Sequence, residues 1–194
     1  MKRIISGLVA IPLVLGIVLY GSPLLFFGFL TVVVLVASHE YFSMISNMGV
    51  EGFPVEGGVL CFLLLLGFYM GGQNLLLFVV LIPVGLFATW FFRENDVKVA
   101  LDPITYTILG VFYTAGLGGY FLLIYNLEGG NQIIVFLFLL IWVGDATAYY
   151  VGRSLGKYKL IPAVSPNKTV EGAIGNVVGT LLAAYIAKLW FFNG

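Results

Sequence analysis

The stretch "IIVFLFLLIWVGDATAYYVGR", residues 133–153, places an aspartate directly after a long apolar run. The apolar run is typical of a helix that crosses a membrane. Inserting Asp into the centre of such a helix costs about 3 kcal/mol, and acids at such positions face a partner or a water-filled cavity. Asp145 is therefore the first candidate functional residue.

The composition of the whole chain agrees with a membrane location. Of its 194 residues, 61% are apolar and only 9% are charged, which excludes a soluble globular domain. The formal net charge is zero and no basic run exceeds two residues, so the sequence gives no indication of nucleic-acid binding. The single cysteine, Cys61, has no second cysteine with which to form an internal disulfide.

The pattern of apolar runs predicts an all-α, polytopic integral membrane protein with about seven transmembrane helices in a single membrane domain, residues 1–194. Glycines, prolines and charges separate the runs. The expected helices cover residues 4–20, 24–38, 58–70, 75–92, 104–126, 132–152 and 171–192. Residues 153–170 are expected to form a loop.

The distribution of Lys and Arg predicts the orientation. With Lys2 and Arg3 in the cytoplasm, seven crossings bring eight of the nine basic residues to that side and leave only Lys188 near the other. The N-terminus and loop 153–170 are therefore expected to be cytoplasmic.

If residues 132–152 are helical, Asp145, Tyr149, Gly152 and Arg153 follow the spacing i, i+4, i+7, i+8 and share one stripe. Asp145 then lies about 12 Å along the helix axis from Arg153, below the membrane rim. A structural ion pair, or a hydrogen bond to a neighbouring helix, is the alternative to a functional role for Asp145.

The segment "VSPNKTVEG", residues 164–172, predicts the start of the last helix. Ser165 with Pro166, or alternatively Thr169, would cap it. Lys168 and Glu171 then lie in the opening turns, where backbone N–H groups and Lys168 could bind a phosphate. Alternatively, Glu171 only complements the helix dipole and Lys168 only marks the topology.

The stripe and this segment together suit a phosphorylated ligand with a divalent metal, because carboxylates hold Mg²⁺ while cations neutralise phosphate. In the last helix the small residues Gly172, Gly175, Gly179 and Ala183 predict close contact with another helix.

Residues 145–175, "DATAYYVGRSLGKYKLIPAVSPNKTVEGAIG", closely resemble the phosphatidate cytidylyltransferases, membrane enzymes that make CDP-diacylglycerol. The family pattern matches at Asp145, Ala148, Tyr149, Gly152, Arg153, Gly156, Ser165, Pro166, Lys168, Thr169, Glu171 and Gly172. The resemblance implies transfer of CMP from CTP to phosphatidic acid with release of pyrophosphate, in a bacterial inner or plasma membrane.

The resemblance also implies roles for these residues. Asp145 would help to hold Mg²⁺ or another divalent cation, and Arg153 and Lys168 would contact phosphates. Tyr149 and Gly152 would line the substrate site, and the loop that binds substrate would be shaped by Ser165, Thr169 and Glu171.

Family members continue into a second signature with Lys-Asp, His-Gly-Gly and Asp-Arg elements, and nothing in this sequence resembles it. The chain is therefore expected to be incomplete at its C-terminus, to receive the missing segment from a second chain, or to have lost activity. A homodimer through the glycine-rich helices is a further expectation. Another CTP-dependent lipid enzyme, such as a polyprenol or diacylglycerol kinase or an archaeal CDP-lipid synthase, and a non-catalytic lipid-binding or scaffolding protein remain alternatives.

Overall fold

The computed structural model describes residues 2–71, 75–92 and 101–191. The chain divides into two compact units, residues 1–130 and residues 131–194. The predicted all-α membrane architecture is confirmed, with one small β-hairpin added in the second unit.

The first unit consists of helices in its described part. Helix α5 passes without a break through a π-helical segment, Phe112–Gly116, into α6, so that α5 and α6 form one rod. The helices are α1 (Lys2–Tyr20), α2 (Pro23–Asn47), α3 (Pro54–Tyr69), α4 (Leu75–Phe92), α5 (Leu101–Val111) and α6 (Leu117–Tyr125).

Helix α3 lies at the centre of this unit and packs against α2, α4, α5 and α6. Its side chains Cys61, Leu64 and Leu65 are completely or almost completely buried. Aromatic rings of the unit fill the space left by glycines: Phe42 packs against Gly57, and Phe68 packs against Gly119. In this core, aromatic rings pack directly against the backbone of glycine residues. A methyl group added at either glycine would collide with a ring.

The second unit is built from two long helices and the hairpin between them. Its elements are α7 (Gly130–Leu155), β1 (Lys159–Ile161), β2 (Ser165–Thr169) and α8 (Val170–Phe191). The strands pair antiparallel, with Lys159 opposite Thr169 and Ile161 opposite Ser165. More residues of β2 than of β1 lie between these two pairs, so β2 bulges around residues 166–168.

Among the described residues, five helical rods are long and apolar enough to cross a membrane: Pro23–Asn47, Leu75–Phe92, Leu101–Tyr125, Gly130–Leu155 and Val170–Leu189. Helix α3 has 16 residues, or about 24 Å of length, and is shorter than the roughly 30 Å hydrocarbon core. The protein is a membrane protein, and large apolar side chains remain exposed on the long helices, where lipid can cover them.

Several helix limits differ from the predicted ranges for identifiable reasons. Helix α2 runs past residue 38 to Asn47 because the polar residues after the apolar run still form helix, and Gly49, with φ of 77°, ends it. Helix α3 begins at Pro54 rather than 58, since proline is favoured in a first turn. Residue 192, the predicted end of the last helix, lies outside the described residues.

The segment expected to be a loop, residues 153–170, is largely ordered in regular structure. Helix α7 continues through Leu155, and the two strands occupy most of the remainder. Ser165 lies on β2 and does not cap α8, because the extended backbone that precedes a proline favours strand pairing at this position.

Candidate functional site

Helices α7 and α8 are in direct backbone contact. A methyl group built on Gly172 would lie 2.9 Å from the carbonyl oxygen of Ala148 and 3.2 Å from Cα of Gly152. Further along the pair, Gly175 meets Val151 and Gly144 meets Thr180. As residue numbers rise along α8 from 172 to 180, the numbers of their contact partners on α7 fall from 152 to 144. The two helices are therefore antiparallel. The prediction of close helix contact at the glycine ridge is confirmed at these positions.

Thr169 joins the hairpin to this helix contact. Its side chain is buried, and its hydroxyl oxygen accepts a hydrogen bond from the backbone N–H of Gly172 at 3.1 Å. The alternative cap proposed from the sequence, Thr169, is therefore the cap of α8. Gly152 and Gly156 approach Thr169 closely enough that a methyl group on either would crowd it.

The base of the hairpin is fixed to the first turn of α8. The N–H of Tyr158 donates to both carboxylate oxygens of Glu171, each at 3.3 Å, and the N–H of Val170 donates to the carbonyl of Tyr158 at 2.9 Å. Glu171 thus fastens the hairpin to the helix. A role of Glu171 in shaping a substrate loop stays a prediction, and Glu171 does not line the cavity beside the hairpin.

A cavity of about 960 Å³ opens beside α7, the hairpin and α8, entirely within the second unit. Its volume is at the upper end of the range usual for small-molecule sites. Of the residues predicted for the site, the cavity is lined by Asp145, Tyr149, Gly152, Arg153, Ser165, Lys168 and Thr169. Residues separated by more than twenty positions in the sequence are therefore brought to one concave surface.

The charged side chains of the cavity are exposed to solvent. Arg153 donates a hydrogen bond to the hydroxyl of Tyr149 at 2.9 Å, which orients the guanidinium from one helical turn away. Within the described ranges, no hydrogen bond or ion pair joins Asp145 or Lys168 to another residue. Both side chains are consequently available to a ligand.

Among the described residues, the cavity wall contains one acidic side chain, Asp145. No group of three or more His, Cys, Asp or Glu side chains capable of holding a metal ion occurs among the residues that the structure describes. Mg²⁺ commonly keeps several waters and binds through one or two carboxylates together with substrate phosphates. The single carboxylate of Asp145 therefore fits a magnesium ion that takes its other ligands from water and from a phosphate group.

Two asparagines line the cavity that the sequence reasoning did not select, Asn167 and Asn176. Asn176 lies on α8 four residues after Gly172, and its amide packs against Gly144, the neighbour of Asp145. An amide in the apolar sequence of α8 is the signal that could have identified it. Asn167 lies in the bulge of β2, and its position depends on a strand pairing that spacing alone does not reveal.

The family of this chain follows from comparison with known proteins. A model of the cytidylyltransferase family matches residues 1–193, essentially the whole chain. The chain belongs to the cytidylyltransferase family. The resemblance of residues 145–175 to this family is confirmed.

Curated relatives of this chain include bacterial proteins named phosphatidate cytidylyltransferase. The protein from Bacillus subtilis strain 168 is 43% identical over 89 residues, which cover 45% of this chain and 33% of the relative. The one from Staphylococcus saprophyticus is 34% identical over 99 residues, which cover 51% of this chain and 35% of the relative. The aligned stretches thus span about a third of the relatives' length. No solved structure showed a significant match.

Proposed function

We propose that this chain forms part of a phosphatidate cytidylyltransferase, which transfers CMP from CTP to phosphatidic acid. The observation that carries the proposal is the cavity that gathers Asp145, Arg153 and Lys168. Family membership and the names of the bacterial relatives support the same activity. The long apolar helices that flank the cavity suit a substrate that resides in a bilayer.

In the proposed reaction, a phosphate oxygen of phosphatidic acid attacks the α-phosphorus of CTP. The bond from the α-phosphorus to the bridging oxygen breaks, and pyrophosphate leaves with that oxygen. Such a transfer needs two polyanions to be aligned and their charge to be neutralised, with little covalent work by the protein. The exposed guanidinium of Arg153 and the ammonium of Lys168 are suited to these phosphate contacts.

Asp145 is proposed to hold the cation that accompanies the triphosphate. When bound, magnesium would supply charge neutralisation at the phosphate oxygens. A carboxylate with no protein partner among the described residues suits this role, because its charge is otherwise compensated only by water. Arg153 is oriented toward the cavity by Tyr149, and Thr169 and Glu171 hold the hairpin that carries Lys168.

The cavity is proposed to open to the cytoplasm, where CTP is available. The excess of Lys and Arg at this end of α7 and in the hairpin supports that orientation. CTP and phosphatidic acid are the proposed substrates. A second copy of the chain, or a further segment, is proposed to complete the site with additional acidic residues.

Binding of CTP in the presence of Mg²⁺ tests the proposal. The purified chain in nanodiscs would be titrated with CTP by calorimetry, in parent form and as Asp145→Asn and Lys168→Gln. A hydrogen bond to a charged group contributes about 1.5–3 kcal/mol, so each variant should weaken binding by roughly 10-fold to 100-fold. Lys188→Gln is the matched control, since Lys188 is an exposed lysine of α8 outside the cavity wall.

Unchanged CTP affinity in both cavity variants would contradict the proposal, as would an equal loss in Lys188→Gln. Product analysis in membranes that contain phosphatidic acid then identifies the reaction. A cytidylyltransferase releases pyrophosphate and leaves CMP on the lipid, whereas a CTP-dependent kinase releases CDP. Release of CDP would replace the proposed activity with the kinase alternative.

A further inference from the structure

Residues 161–164, which are the last residue of β1 and the turn after it, expose apolar side chains although they belong to no membrane-spanning helix. Ile161 is 53% exposed and Val164 is 80% exposed, and Pro162 and Ala163 between them are exposed as well. We call these four residues the hairpin tip. Exposed apolar groups clustered at the end of a hairpin are typical of a contact surface.

Basic residues flank the hairpin tip in the sequence, on both strands and at the end of α7. Arg153, Lys157, Lys159 and Lys168 are all exposed, and no acidic residue occurs from position 153 to position 170. The next acid in the sequence, Glu171, accepts a hydrogen bond from the N–H of Tyr158 and interacts electrostatically with Lys157. Asp145 of α7 lines the same cavity as Lys168. The hairpin itself therefore combines an apolar end with side chains of positive charge only, which is the complement of an anionic lipid surface.

The position of the hairpin in the chain keeps it close to the bilayer. It connects α7 with α8, and both helices are long and apolar enough to cross the membrane. Strand β1 has three residues and is about 10 Å long, so the tip cannot move far from the helix ends. Tyr158, 72% exposed at the base, is a residue type enriched at membrane interfaces.

We propose that the hairpin tip inserts into the headgroup region of the membrane that α7 and α8 span, and that Lys157 and Lys159 hold it there by binding anionic lipid. Long lysine side chains can keep their ammonium groups at the headgroups while their stems cover apolar surface. Leu160, Ser165 and Lys168 of the same hairpin line the cavity. Insertion would therefore bring the cavity wall next to anionic lipid headgroups.

Spin-label depth measurements on the full chain test this proposal. A nitroxide would be attached at Val164→Cys, and a reference label at Ser154→Cys in the last turn of α7. Native Cys61 is completely buried, and the parent chain serves as the labelling blank. Accessibility to oxygen, which concentrates in the bilayer, would be compared with accessibility to a water-soluble nickel complex. Vesicles of phosphatidylcholine alone and of phosphatidylcholine with phosphatidylglycerol would be used.

The Val164 label should lie as deep as the Ser154 label or deeper, and deeper still when phosphatidylglycerol is present. The double substitution Lys157→Gln and Lys159→Gln should remove the effect of phosphatidylglycerol. A Val164 label that is more exposed to nickel than the Ser154 label in both vesicle types would overturn the proposal. So would a label shielded from both reagents, which would mean that protein covers the tip. The same depth in both vesicle types would overturn the role of anionic lipid.

These measurements need neither CTP nor turnover. CTP binding by the cavity variants and insertion of the hairpin tip are therefore measured independently. If the proposed enzymatic activity fails, the depth of the Val164 label still decides whether the tip inserts.

Discussion

Replacing Gly172 with alanine should separate α7 from α8. The added methyl group would lie 2.9 Å from the Ala148 carbonyl oxygen, 3.0 Å from the Thr169 hydroxyl and 3.2 Å from Cα of Gly152. Ordinary van der Waals contacts of Cβ atoms begin at 3.4 Å, and two of these neighbours are backbone atoms that cannot rotate away. The helices must therefore move apart.

The magnitude follows from two opposing effects. Overpacking of this kind costs about 1–3 kcal/mol, whereas Gly→Ala in a helix gains up to about 1 kcal/mol from the restricted unfolded chain. Gly28→Ala in α2 isolates the second effect, because nothing lies within 4 Å of its added methyl group. The two variants should therefore differ in free energy of unfolding by about 1–3 kcal/mol, with Gly172→Ala the less stable.

Unfolding in mixed micelles with increasing sodium dodecyl sulfate, followed by far-UV circular dichroism, measures this difference. Gly175→Ala adds an intermediate case, since its methyl group would meet the Val151 side chain at 2.7 Å rather than a backbone atom. If Gly172→Ala is as stable as Gly28→Ala, the direct backbone contact of α7 with α8 is refuted.

Two further substitutions probe the hairpin. Thr169→Ala should lower the free energy of unfolding by about 1 kcal/mol, because the N–H of Gly172 loses its hydrogen bond to the Thr169 hydroxyl. Thr169→Ser keeps a hydroxyl and should retain most of the stability, as measured by the same denaturation. Glu171→Gln should speed amide hydrogen exchange at Tyr158, because the neutral side chain is a weaker acceptor than the carboxylate; unchanged exchange there would contradict the observed fastening of the hairpin.

The helical stripe of the site could be predicted because it depends on one short-range rule. Asp145, Tyr149, Gly152 and Arg153 share a face whenever their segment is helical, and all four line the cavity. Thr169 was foreseen as one of two caps on equally local grounds. What the sequence does not contain is the choice between Ser165 and Thr169, since that choice depends on whether residues 165–169 pair with another strand.

Other features depend on contacts between distant positions. The π-helical segment Phe112–Gly116 includes Thr114, whose hydroxyl contacts the Cys61 sulfur at 3.4 Å. No local sequence pattern predicts this contact. The bulge of β2 likewise arises from pairing with β1, and it carries Asn167 and Lys168 on the cavity wall. Short-range periodicity determines which residues share a helix face, whereas tertiary pairing determines which of those faces meet.

The backbone contact of α7 with α8 has a consequence for how the protein can change over evolutionary time. Because main-chain atoms set the spacing at Gly152 and Gly172, exposed apolar side chains elsewhere on both helices can vary in size to match membranes of different thickness without altering the distance between the helices at the cavity.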